Sequence, residues 1–146
     1  AADGAEARRL LRMEEHLRSG GSGAWFPETR MGTIGSADAP PKVGPFRPGG
    51  LELAVRLDCE LWCLALVGSA RCWPYGSELG GQPARLGFEA TCLCSSTHEL
   101  LETVEWANGE ERAKAAHLAN RARKLVQTKV DALWPLLTNS PELKQS

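Results

Sequence analysis

The stretch 51-LELAVRLDCELWCLALV-67 decides how this chain is read. Leu51, Leu53, Val55, Leu57, Cys59, Leu61 and Cys63 are apolar at every second position, and Glu52, Arg56, Asp58 and Glu60 stand between them. A period of two with one polar face predicts a half-buried strand. A helix competes with it, because Glu52, Arg56 and Glu60 also lie four apart and Leu, Ala and Glu favour helix. Asp58 weighs against the helix, where it would fall near the apolar stripe and away from the other charges. Leu61 to Val67 then either continues the strand or forms a second one after a turn near Asp58 to Glu60.

A second alternation follows, with Ala84, Leu86, Phe88, Ala90, Cys92 and Cys94 on one face and Arg85, Glu89 and Thr91 on the other. Turn chemistry at Trp73-Pro74-Tyr75-Gly76 and Gly80-Gly81-Gln82-Pro83 separates the two runs. Together they predict a small antiparallel sheet whose apolar face is the one that helices cover.

Helices are expected at both ends of the chain. Asp3 and Glu6 stand at capping-box spacing ahead of Ala7, Leu10, Leu11, Met13 and Leu17, and Gly20-Gly21 ends that helix. Ser96 and Glu99 repeat the capping spacing before Leu100-Leu101, so a helix begins at about Thr97 and Asn108-Gly109 breaks or kinks it. From Glu110 to Trp134 a long helix carries Ala115, Leu118, Ala119, Ala122, Leu125, Val126, Val130 and Leu133 on one side, and Pro135 is expected to stop it at the preceding residue. The fold class is α+β; the alternative is a mainly α chain with long loops.

Residues 19–50 hold much of the glycine and proline and show no sustained period. So long a connection inside one domain is uncommon unless it lies across another surface. Trp25, Phe26, Met31, Ile34, Val43 and Phe46 stud it at intervals, which a free linker does not need. We read it as an extended arm that binds a partner. The organisation is then an N-terminal helix over 1–18, the arm over 19–50, a core over 51–137 that ends in the long helix, and a tail over 138–146.

Composition narrows the function classes without choosing one. At 42% hydrophobic and 24% charged residues the chain is near the globular average, so most of it folds. The net charge of −1 removes any global argument for nucleic acid, and the longest apolar run, Leu61 to Val67, is far short of a bilayer span. The start Ala1-Ala2-Asp3 fits a chain from which a targeting peptide has been removed, with a plastid or mitochondrion as the destination.

Local patterning offers two candidate chemistries. Cys59, Cys63, Cys92 and Cys94, with His98 nearby, supply soft ligands, but neither pair has the usual zinc spacing and all four sulfurs are expected on the apolar face. They are read as core residues, and neither a metal nor a catalytic group is assigned. On the C-terminal helix Arg112, Lys114, Arg121, Arg123, Lys124 and Lys129 are uninterrupted by acid, and Arg112, Lys114, His117, Arg121 and Lys124 are the candidates for binding an anion or an acidic partner. The glycines match no nucleotide-binding loop, and no cofactor is implied.

The expected function is therefore a non-catalytic accessory or linker subunit that docks through the arm into a larger assembly of other protein subunits. An RNA-binding or ribosome-associated protein using the basic helix is the alternative, and a cysteine-based metal module or enzyme the second. Membrane-surface contact by the same basic face is compatible with this reading.

Overall fold

In the computed structural model, which describes residues 2–28, 39–72, 84–103 and 111–138, the chain is α+β. The elements run α1 (Ala2–Arg18), α2 (Gly49–Leu57), β1 (Leu61–Val67), α3 (Ser69–Cys72), β2 (Gly87–Cys94), α4 (Thr97–Glu102) and α5 (Glu111–Thr138). Strands β1 and β2 pair antiparallel in a two-stranded sheet. Met31, Ile34, the turns from Trp73 to Pro83, Asn108-Gly109 and residues 139–146 of the tail lie outside the described residues.

Residues 51–57, expected as strand, are helix, and strand begins only at Leu61. The reason lies at Asp58. It stands just past α2 in the left-handed conformation (φ 50°, ψ 57°), and the N–H groups of Asp58 and Cys59 close the helix on the carbonyls of Val55 and Ala54. Aspartate tolerates this conformation better than most residues, so the residue that weighed against a helix is the one that ends it. Within α2, Leu51, Ala54 and Val55 are buried at helical spacing, while Arg56 reaches outward to Glu111 at 2.9 Å and Glu14 at 3.5 Å.

The Asp58 carboxylate then fastens α2 to α4. Its Oδ1 accepts from Ser96 Oγ at 2.6 Å and from the His98 backbone N–H at 2.9 Å, and buried Thr97 donates its hydroxyl to the Ala54 carbonyl at 3.0 Å. Ser96 caps α4 from the other side by accepting from Glu99 N–H at 3.1 Å, as the capping spacing predicts.

Helix α5 is the spine. Ala115, Leu118, Ala119, Ala122, Val126, Val130, Trp134 and Leu137 form its buried stripe. The N-terminal part of the stripe meets α2, Leu61 and Leu101, and the C-terminal part meets Ala65 and Val67 of β1. The helix continues through Pro135 to Thr138 where a stop was expected, because Leu137 is buried in the second cluster and holds the last turn in place. Proline removes one helical hydrogen bond, and burial of a leucine is of comparable size. Helix α1 packs on α2 and ends in a Schellman turn at Gly20 (φ 86°), with the N–H groups of Gly20 and Gly21 on the carbonyls of Leu17 and His16.

Gly68 follows β1 at φ 92°, and a Cβ built there would stand 2.3 Å from the Arg85 carbonyl oxygen. Both the conformation and the approach of backbone demand glycine. Gly68→Ala is expected to cost more than about 2 kcal/mol in urea unfolding, because backbone cannot move aside as a side chain can. Gly49→Ala, where a Cβ meets nothing within 4 Å at the start of α2, is expected to leave stability unchanged or raise it by up to about 1 kcal/mol.

Candidate docking surface

Both faces of β1 are apolar, and α5 covers only one of them. Leu61, Cys63, Ala65 and Val67 face the helices, whereas Trp62, Leu64 and Leu66 are 62%, 60% and 49% exposed. The ladder pairs Trp62 with Cys92, Leu64 with Ala90 and Leu66 with Phe88, which is 71% exposed. Leu86, just ahead of β2, extends the row by the same alternation and is also exposed. The outer face is thus apolar along its whole length.

Strand β2 is oriented opposite to the expectation. Its covered row is Gly87, Glu89 and Thr91, and the row of Phe88, Ala90 and Cys92 faces outward. The covered row has partners that explain it. Glu89 pairs with Lys129 of α5 at 2.5 Å, and Gly87 lets Val67, Leu133 and Leu137 approach within 3.1 to 3.8 Å of where a Cβ would stand. A bulge between Leu61 and Trp62 then shifts the register, so that both Leu93 and Cys94 pack on the core. Alternation alone could not show this, because a salt bridge from a distant helix makes the polar row the inner one.

The large residues of the outer face leave roughly 600 Å² of side-chain surface in contact with water, at the upper end of what single proteins commonly expose. At about 25 cal/mol per Å² that forgoes on the order of 15 kcal/mol of gross burial, an upper bound. Scattered exposed leucines carry no such weight. This patch is contiguous across two strands, and among the described residues its two strand rows contain no charge between Trp62 and Leu66 or between Phe88 and Cys92; Glu60, at one end, accepts from Trp62 Nε1 at 2.7 Å.

The arm residues are divided between the chain's own core and solvent. Val43 is buried against α5, where Gln127 Oε1 accepts from its N–H at 2.8 Å and Arg123 Nε donates to its carbonyl at 3.2 Å. Phe46 packs against both core clusters, and Trp25 packs against the first, its indole on Gly50. Residues 27 and 47 are tied by the bond from Arg47 N–H to the Pro27 carbonyl, 2.8 Å. The expectation that Trp25, Val43 and Phe46 await a partner is corrected here: their own domain holds them. Among the described arm candidates, Phe26, at 99% exposure, is the one left outward. Gln127, which anchors the arm through Val43 and Pro41, carried no signal in the sequence, being one uncharged residue in a basic helix.

On α5, Arg121 and Lys124 are exposed on the side away from the buried stripe and Arg112 is exposed near its start, whereas Lys114 and His117 are half-buried and His117 Nε2 is enclosed. Arg123 and Lys129 are turned to the arm and the sheet instead. A shallow open hollow of about 230 Å³ lies beside Asn120, Arg123, Lys124 and Gln127. Among the described residues no helix is long and apolar enough to cross a membrane, and no group of three or more His, Cys, Asp or Glu could hold a metal ion.

The cysteines do not share one face. Cys63 is in the covered row, where burial, with the Cys94 and Cys92 thiols beside it, pushes its pKa up to about 11. Burial also raises Cys59 and Cys94. Such thiols stay protonated at neutral pH and are poor nucleophiles. Cys92, expected inside, is on the outer face opposite Trp62.

Comparison of the chain with family models, curated proteins and solved structures finds no match.

Asp58, Ser96 and His98 bring together the residue types of a hydrolytic triad, but the connections are different. Ser96 donates to Asp58 rather than to His98, and His98 Nε2 faces the Val55 carbonyl at 2.7 Å. No imidazole nitrogen is directed at the hydroxyl as general-base chemistry requires. The cluster joins helix ends. The bond from Ser96, followed by that from the His98 backbone, holds the Asp58 carboxyl below its ordinary value of 3.8. A carboxylate lowered in the fold stabilises above its unfolded pKa and loses that contribution as pH falls through the folded one. Asp58→Ala is expected to cost about 1 to 2 kcal/mol at pH 7 and to flatten the fall in stability below pH 3.8 when melts are followed by circular dichroism.

Proposed function

We propose that this chain is a non-catalytic docking subunit of a multi-subunit assembly, held to its neighbour through the outer face of the β1–β2 sheet. One observation carries this reading. The chain turns the more apolar row of β2 outward, so that Phe88, Ala90 and Cys92 continue the exposed row of Trp62, Leu64 and Leu66. A sheet with two apolar faces is a buried sheet, and one layer of helices covers only one of them. The exposed Phe26 and the half-exposed Leu10 and Leu11 of α1 are further surfaces on which neighbours could seat.

The non-catalytic part is supported by the use of Asp58, Ser96 and His98 in joining α2 to α4, and by the raised thiols of Cys59, Cys63 and Cys94. Nucleic-acid binding by α5 has less support. Lys129 and Arg123 are directed to Glu89 and to the Val43 carbonyl, and the outward cations lack the interleaved aromatic rings on which bases stack.

A photo-crosslinking amino acid at position 64, introduced into the protein in its native host, is expected to join one protein in stoichiometric yield. The same group at exposed Glu102 should not, and Leu66→Lys placed in the same chain should abolish the product at 64. Equal, diffuse labelling from both positions would contradict the docking reading.

A further inference from the structure

We propose that the occupant of this face is a second copy of the same chain, with β1 of each copy lying over β2 of the other. The inference rests on the docking reading of the same face and adds the identity of the partner. Three features of the face point to self-association. Its central levels, Trp62 with Cys92 and Leu64 with Ala90, carry no charged side chain, and Glu60 at the end of the row is engaged by its own Trp62 Nε1 at 2.7 Å. Its area, roughly 600 Å² per copy, gives about 1,200 Å² on pairing, which enters the range of stable, specific interfaces. It is also self-complementary in relief.

The relief follows from the ladder. On the outer face β1 presents Trp62, Leu64 and Leu66, and the residues level with them on β2 are Cys92, Ala90 and Phe88. One strand is therefore a ridge of large side chains, and the other is a trough at Cys92 and Ala90 that rises again at Phe88 and Leu86. A two-fold axis between the sheets and parallel to the strands keeps height along the strand and exchanges the two strands. Trp62 of each copy then lies over the other copy's Cys92, and Leu64 over its Ala90. Ridge meets trough twice, as an interface that maps onto itself requires. Packed sheets turn by about 30°, which displaces the ends of the ladder and leaves the Leu64–Ala90 level nearest the axis. That level is where the arrangement is tested.

Sedimentation equilibrium of the full chain at micromolar to tens of micromolar concentrations is expected to show a dimer. Leu64→Lys should raise the dimer Kd at least about 100-fold, since a central hot spot is replaced by an unpaired charge. Its circular dichroism should be unchanged, because Leu64 is 60% exposed in the single chain. Maleimide should modify Cys92 slowly in the wild-type dimer and quickly in Leu64→Lys. Leu64→Ala and Ala90→Leu should each weaken the dimer about tenfold, and the double variant should return to within about threefold of wild type. A monomeric wild type, a dimer that survives Leu64→Lys, or a double variant weaker than both single ones overturns the proposal. If the chain is monomeric and crosslinking at 64 captures a different protein, this inference fails and the docking reading stands; if nothing is captured either, both fail.

Discussion

A strand that is apolar on both sides needs two covers, and β1 has one. Leu61, Cys63, Ala65 and Val67 are covered by α5 and its neighbours, while Trp62, Leu64 and Leu66 meet water. The gross burial forgone is of the same order as the net stability of a whole domain. Everything else in the structure bears on how that imbalance is set up. The α5 stripe gives the sheet its inner cover, and the Glu89–Lys129 pair turns the polar row of β2 inward. Together these leave the apolar row of β2 beside the apolar row of β1 on the outside.

The inner cover depends on a short junction. Asp58 ends α2, and its carboxylate receives the start of α4, which fixes where β1 can begin and how α2 sits on α5. Gly68 does the equivalent at the far end of β1, where the Arg85 carbonyl comes too close for any side chain. These two residues set the strand's limits. Between them the apolar content of β1 is free to serve two faces.

Long periodic elements were legible in the sequence, and elements closed by a distant partner were not. The α5 stripe from Ala115 to Val130 and the Ser96–Glu99 cap follow from spacing alone, because local geometry determines both. The stretch 51–57 supports either period, and the choice depends on Asp58 reaching a helix that begins 39 positions later, at Thr97. The sidedness of β2 depends on Lys129, 40 positions away. The arm was misread for a related reason. Trp25 and Phe46 do need a surface, but the chain's own core clusters provide it, and Gln127 and Arg123 of α5 hold the backbone at Val43. The exposed apolar face was present in the sequence as the uninterrupted apolar run of β1, whose two-sidedness appears only once a single layer of helices is seen to cover one side.

Hydroxyl-radical footprinting of the protein in its native setting tests the central claim most directly. Phe26, fully outward, and Trp134, buried on the inner face of α5, provide the two reference rates on the same chain. The account predicts that Trp62 and Phe88 are oxidised nearly as slowly as Trp134. Oxidation of both at the pace of Phe26 would contradict it.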